Sequence, residues 1–286
     1  MSHDDSAKNR QHETWTSVAD GWRRHDDRLR ASMAAVSELM LDVSCVGLGH
    51  RVLDIASGTG EPAIPAAQRV GPTGRVVGTD FVEQMLVVAR EKAAMLGLDN
   101  LELRQVDCEA LDVPPSSFDA VLCRWGIMFM PDPALCLRRA YEALKPGGRC
   151  AVACWAAPGK NPWASLPLEI VRRHIPDAPA PPAGAPGIFA FADPDRLAAE
   201  MASAGFSDVQ IDQVPVLCGG KFEDGAAFVR FILDLAGPIA DLFGKFSPKL
   251  QTHVFDEVVA EVEARQAGAG VVMPGLTWVA HGQKLG

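Results

Sequence analysis

The sequence predicts an α/β fold, a doubly wound and mostly parallel sheet of seven strands. Between Arg51 and Trp155, five short apolar runs alternate with segments of helical periodicity. The first of these runs ends in a glycine turn, Ser57-Gly58-Thr59-Gly60. Two later strand-like runs, Val209 to Leu217 and Val271 to Val279, bring the count to seven. Five strands separated by helices imply a mostly parallel sheet, because a helical crossover returns the chain to the end of the sheet where the next parallel strand starts.

Taken in order, residues 8 to 46 read as two N-terminal helices. One carries Trp15, Val18 and Trp22, and the other carries Leu29, Met33, Val36, Leu39, Met40 and Val43 at helical spacing. A strand follows from Arg51 to Ala56, then a helix that starts near Glu61 and Pro62 and runs to about Val70. Arg75 to Asp80 is the second strand, Glu83 to Leu96 a helix, and Leu101 to Asp107 the third strand. After a loop through Pro114 and Pro115 come a strand from Phe118 to Trp125 and a helix from Ala134 to Leu144. That helix stops at Lys145-Pro146-Gly147-Gly148 and leads into the strand Arg149 to Trp155. Past Trp155 the rhythm changes. A helix spans about Pro162 to His174, and the Pro- and Ala-rich stretch Pro176 to Gly187 reads as an extended loop. Asp193 caps a helix through Ala204, closed by Gly205. The strand 209–217, helices at Ala226 to Ala236 and Pro248 to Gln266, and the strand 271–279 complete the chain.

Composition narrows the function. The chain has 27 basic and 36 acidic residues, with no long run of either sign, which argues against nucleic acid or an anionic membrane as the main partner. A small-molecule substrate fits better. No apolar run is long enough to span a membrane, and the start MSHDDSAKNRQHE is too polar for a signal peptide, so a cytoplasmic protein is expected. Seven cysteines without a CxxC pair read as reduced core residues, Cys150 and Cys154 included.

The turn after the first strand carries the chemistry. Glycines there let backbone amides approach a ligand. Gly58-x-Gly60-x-x-Ala63 matches the dinucleotide pattern GxGxxA, and Asp80 lies where an acid would meet ribose hydroxyls. Asp54 separates the readings. A carboxylate just before the turn repels a pyrophosphate but suits a cation, and Asp80, Asp107 and Glu109 add to the acidity of that edge. S-adenosylmethionine carries an ammonium and a sulfonium and no phosphate, so the edge favours it over NAD.

The segments VLDIASGTGEPAIPAA, VVGTDFVEQMLVVAR, LRQVDCEALDVPPSSFDAVLCRWGIMFMPDP and ALKPGGRCAV, in that order, resemble a class I S-adenosylmethionine-dependent methyltransferase. The branch is the one containing the ubiquinone and menaquinone biosynthesis C-methyltransferases and small-molecule, natural-product methyltransferases. The resemblance is specific over about residues 50 to 155 and weaker outside. It implies a Rossmann-like methyltransferase fold and a division into four parts. Residues 1–47 would form a helical lid, 48–156 the cofactor-binding core, 157–205 a cap inserted after the fifth strand, and 206–286 the remaining sheet and pocket. Asp54, Ala56, Gly58 and Gly60 would form the methionine-side loop, with Ala56 where many relatives have Gly. Asp80 would hold the ribose, Phe81 and Met85 would flank adenine, and Asp107 and Cys108, the latter through its backbone, would meet the adenine edge. Glu109 belongs to the same edge, and Arg124 would sit where cofactor and acceptor meet.

Each of these residues also has a plainer reading as a cap, a core side chain or a solvated acid. The aromatic residues Trp15, Trp22, Trp125, Phe129 and Trp163 are candidates for the wall of a substrate chamber, against ordinary core packing. His25, His174, His253 and His281 are candidates for a general base, although no motif places any of them, and no catalytic residue is assigned. The group His25-Asp26-Asp27 reads as solvated rather than as metal ligands, and no metal is expected. The function expected is methyl transfer from S-adenosylmethionine to an oxygen or carbon of a small, partly apolar metabolite such as a polyketide, quinone, terpenoid or phenol, by a monomer or homodimer. One alternative is an NAD-dependent oxidoreductase, weakened because Tyr141 and Lys145 look like a helix end rather than a catalytic pair. The other is a non-catalytic cofactor-binding protein.

Overall fold

The computed structural model describes residues 3–175, 184–266 and 268–286. The part of the expected 176–187 loop up to residue 183 lies outside the described residues. Helix α1 (His3–Val43) leads into the core alternation β1 (Arg51–Ile55), α2 (Ala63–Val70), β2 (Arg75–Asp80), α3 (Glu83–Met95), β3 (Leu101–Gln105), β4 (Phe118–Arg124), α4 (Pro133–Ala143) and β5 (Leu144–Trp155). Then follow α5 (Pro162–Arg173), α6 (Pro194–Ser203), β6 (Ser207–Phe222), α7 (Gly225–Leu235), α8 (Gly237–Gly244), α9 (Pro248–Glu263) and β7 (Val271–Gln283).

The seven strands form one sheet in the order β3-β2-β1-β4-β5-β7-β6. β1 through β5 pair in parallel, and β7 lies antiparallel to both β5 and β6. The interior strands are apolar on both faces, as a sheet covered on both sides requires: Val52, Leu53, Val76, Val121, Leu122 and Val152 are all buried. Chain direction along the sheet reverses between β1 and β4, so the loops leaving their carboxyl ends diverge. A crevice opens there, which is where open α/β sheets take their ligands.

The N-terminal segment is one helix of 41 residues, not two. It passes through Gly21 without a break, because that glycine serves packing. A Cβ at position 21 would lie 1.9 Å from the carbonyl oxygen of Asp234 on α7. The loss of helix propensity at an interior glycine, about 1 kcal/mol relative to Ala, is offset by this close approach. The first half of α1 buries Val18 and Ala19 against Val82 and Met85 at the start of α3, and the second half buries Met33, Val36, Met40 and Leu41 in the main core. Both halves are held by tertiary contacts, so the helix runs over the crevice like a strap.

Two further differences bear on the site. α8 was not anticipated, because Gly237-Pro238 reads as a break although Pro occupies a first-turn position there. Three helices, α7 to α9, lie between β6 and β7, and the first two join α5 in covering the crevice. Cover therefore comes from this insertion as well as from residues after β5.

Candidate functional site

The crevice is a partly open cleft lined from α1, the carboxyl ends of β1 to β6, and α5, α7 and α8. At its centre the chain leaves β1 through a tight turn. Ala56, Gly58 and Gly60 all have positive φ, of 56°, 52° and 98°. Ser57 N–H donates to the Thr79 carbonyl (2.8 Å) and Gly60 N–H to the Ser57 carbonyl (2.8 Å), which folds the loop tightly over β1 and β2. Gly60 is required for space as well, since a Cβ there would meet Ile64 Cδ1 at 2.7 Å. Ala56 pays the strain of a left-handed conformation that glycine would not.

Asp80 fixes this turn from the end of β2. Its Oδ2 accepts from Gly58 N–H (2.9 Å) and its Oδ1 from Val82 N–H (2.9 Å), so one carboxylate ties the glycine loop to the entry of α3. Burial pushes its pKa up, opposed by those amides. Asp54 sits behind the turn and is completely buried. Neither carboxylate oxygen has a hydrogen-bond partner among the described residues. The Ser57 hydroxyl is committed to the Asp54 carbonyl (3.0 Å). Burial drives the Asp54 pKa to about 7, against the pull of Ser57 and of the Arg124 charge.

Arg124, at the end of β4, is partly buried. Its Nη1 donates to the Ser37 hydroxyl (3.1 Å), which in turn donates to Glu61 Oε2 (3.3 Å). A single hydroxyl of α1 thus links the guanidinium to a buried carboxylate. Desolvation lowers the Arg124 pKa, opposed by Glu61, Asp54 and Asp26. The guanidinium lies 4.7 Å over the Trp125 ring. Trp125 itself holds φ 56°, an uncommon conformation for a bulky residue and a local strain at the mouth of β4. Its ring stacks on Trp155 (4.5 Å, 4° between planes), and Trp155 meets Trp163 at 4.7 Å. The three indoles form one wall of the cleft.

α1 closes over the other end. Lys8 Nζ bridges Asp107 Oδ2 (2.7 Å) and Glu109 Oε2 (2.5 Å), beyond the end of β3. Asp26 accepts from the Thr59 hydroxyl (2.8 Å) and pairs with Lys92 (2.8 Å), gripping the glycine loop and α3 together. The expected solvated cluster His25-Asp26-Asp27 is therefore corrected for two of its members. Asp26 is drawn inward by Lys92, and His25 pairs with Asp234 (2.9 Å); only Asp27 is open to solvent.

Of the expected cofactor residues, Ala56, Gly58, Asp80, Phe81, Met85, Asp107, Cys108, Glu109 and Arg124 line the cleft. Asp54, beneath the turn, and Gly60, packed at its end against Ile64 and Ala89, are not on the wall. Trp22, Trp125, Phe129 and Trp163 all line the cleft, as does Trp15. None of the four histidines does: His174 pairs with Glu257 and His281 with Asp212, His25 faces Asp234, and His253 is exposed on α9. Sequence reasoning passed over Trp155, Glu61, Lys8 and Ser37. Trp155 looked like a strand end and Glu61 like a helix-start acid, while Lys8 and Ser37 carry no signal at all. Six of the cysteines are buried, whereas Cys45 is exposed.

The geometry has relatives. The profile of the family described as "Methyltransferase domain" matches residues 48–168. The ubiquinone/menaquinone biosynthesis C-methyltransferase of Pasteurella multocida is 38% identical over 127 residues, 44% of this chain and 47% of that protein. The corresponding protein of Escherichia coli O139:H28 is 35% identical over 179 residues, 59% of this chain and 71% of that one. The chain thus spans about half the length of the first relative and a larger share of the second. Among solved structures, the phosphoethanolamine N-methyltransferase 2 of Haemonchus contortus in complex with S-adenosyl-L-methionine superposes with a TM-score of 0.53 at 19% identity, over 87% of this chain and 52% of that one, which speaks to the fold. With the sheet order, the acid-bearing strand ends and a relative matched over most of its length, this chain belongs to the class I S-adenosylmethionine-dependent methyltransferase family, beside the ubiquinone/menaquinone biosynthesis C-methyltransferases.

Proposed function

We propose that this chain transfers the methyl group of S-adenosylmethionine to an oxygen or carbon of a small, largely apolar and aromatic metabolite of the quinol, phenol, polyketide or terpenoid kind. One observation carries the reading: a single cleft runs from the acid-bearing ends of β1, β2 and β3 into a chamber walled by Trp125, Trp155 and Trp163. The first end suits a cationic cofactor and the second an apolar ring.

The residues present fit that cofactor. The unpartnered Asp54 carboxylate beneath the glycine turn supplies buried negative charge that a cation above the turn would satisfy. Asp80, Phe81, Met85, Asp107 and Cys108 would hold the nucleoside part, and Ala56, Gly58 and Glu61 the methionine part. When bound, S-adenosylmethionine supplies an electrophilic methyl on a sulfonium. Transfer is an in-line displacement, so the protein's share of catalysis is mainly alignment and exclusion of water. Arg124 and Glu61, linked through Ser37, are the charged groups nearest the junction of the two ends. We assign Arg124 the task of holding an acceptor's developing oxyanion beside the indole wall. No histidine lines the cleft among the described residues, which supports a mechanism with little dedicated base chemistry. Residues 1–47 act as the lid in this reading, and α5, α7 and α8 shape the acceptor chamber.

Calorimetric titration with S-adenosylmethionine, S-adenosylhomocysteine and NAD tests the cofactor, and methyl-labelled cofactor with a panel of quinols, phenols and hydroxylated polyketides tests the acceptor. Binding of the two sulfur cofactors with label transfer to an aromatic member is expected. NAD binding without any response to the sulfur compounds overturns the proposal.

A further inference from the structure

Away from the cleft, the end of α5 meets the outer face of α9. His174 closes α5, and His253 and Glu257 stand one turn apart on α9, where residues four apart share a face. Their donor atoms all lie within 4.8 Å of one another. His174 Nε2 is 2.7 Å from Glu257 Oε2, and the two imidazoles stand at 90° with centroids 5.6 Å apart. Two imidazoles and one carboxylate are therefore gathered at one place between the helices.

We infer that His174, His253 and Glu257 form a binding site for a divalent ion of the zinc class. Neutral imidazole and carboxylate are the donors such an ion prefers, whereas magnesium and calcium require mostly oxygen. Zinc holds nitrogen and oxygen ligands at about 2.0–2.2 Å. An ion here would draw the three donors closer together than they stand, and His253, exposed on α9, is the least confined of the three. Glu257 is oriented from behind: its Oε1 accepts from Arg173 (3.4 Å), which leaves Oε2 for the ion. The Phe246 ring meets the His174 imidazole edge-on, with centroids 6.4 Å apart. Three protein ligands leave a fourth position for water.

The site clamps two helices that cover the chamber from outside the reaction itself. α5 carries Trp163 near its start, and α9 packs on α7, whose Phe231, Ile232 and Leu235 line the cleft. An ion here fixes the cap and takes no part in methyl transfer, so the inference stands or falls independently of the proposed activity.

The test uses the full chain without an affinity tag, stripped with a chelator and titrated with zinc chloride by calorimetry, with cobalt(II) absorption as a second readout. One equivalent should bind at micromolar concentration, thermal unfolding should shift upward with zinc but not with magnesium, and His253→Ala and His174→Ala should each abolish both effects. His253 is exposed, so its variant should unfold at the wild-type temperature without metal. Absence of saturable zinc binding to the wild-type chain, or binding that persists in either variant, overturns the site.

Discussion

The methyl group of Ala56 occupies space that residue 126 leaves open: a Cβ built on Gly126 would lie 2.4 Å from Ala56 Cβ. The loop after β1 and the end of β4 are thus fitted to one another across the crevice. Gly126 has an ordinary φ of −95°, so its glycine is demanded by room and not by backbone conformation. Gly126→Ala should destabilise the protein by about 1–3 kcal/mol through overpacking. Ala56→Gly should be close to neutral, since relief of the left-handed strain opposes the added freedom of the unfolded chain. In the double variant part of the Gly126→Ala loss should return. The remainder reflects Cys123 Sγ, 3.1 Å from the same Cβ position. Urea unfolding of the four proteins checks this, and strict additivity would contradict the contact.

Asp54 should give cofactor binding and stability opposite responses to its charge. Its folded pKa, about 7, stands above the usual carboxylate value, so the folded state holds the proton more tightly than the unfolded state. Stability from this group is full below the unfolded pKa near 4 and is lost as pH rises toward 7, by at most about 4 kcal/mol. Asp54→Asn should accordingly gain stability over wild type as pH rises from 5 to about 8. Affinity for the cationic cofactor should rise across the same range in wild type and stay flat and weaker in the variant. Chemical denaturation and calorimetry at several pH values measure both.

Asp80→Ala leaves the Gly58 and Val82 amides without their acceptor. A loss of about 2 kcal/mol in stability is expected, together with a large fall in cofactor affinity. Asp80→Asn, which retains one acceptor oxygen, should recover part of the stability and little of the affinity. Denaturation midpoints and titration separate the two effects.

The Lys8 bridge to Asp107 and Glu109 is partly exposed, so its direct contribution to stability should be within about 1 kcal/mol. Its effect should be kinetic. Lys8→Ala is expected to speed both entry and release of S-adenosylhomocysteine in stopped-flow fluorescence, and raised salt should mimic the variant in the wild type. Unchanged exchange rates would remove α1 from the role of lid.

Trp163→Leu should raise the acceptor KM several-fold and leave the cofactor Kd unchanged, because this ring stands on the Trp155 side of the cleft, away from β2 and β3. A matching loss in cofactor affinity would place it at the other end.

Much of the fold could be read along the chain because β1 to β5 and their helices are local units. Strand periodicity, Asp193 at a helix start, and glycines at positive φ each act over a few residues. The continuity of α1 could not. Its two apolar stretches read as two helices, and only the close approach of Asp234 to Gly21 shows why the helix continues. The insertion of α7 to α9 between the last two strands was likewise visible only as helices, with no sign of which cavity the first two cover.

The same division holds for the site. By itself the sequence determined the glycine turn, the acids at the ends of β1, β2 and β3, and hence the cationic class of ligand, since each depends on residue type at a strand end. Tertiary structure decided that Asp54 lies beneath the turn and not on its surface, and that Ser37 joins Arg124 to Glu61. It also decided that Trp155 completes the indole wall and that no histidine candidate reaches the cleft. These relations join residues up to more than 80 positions apart. Burial and pairing, which set their charge and reach, exist only after the sheet has brought those segments together.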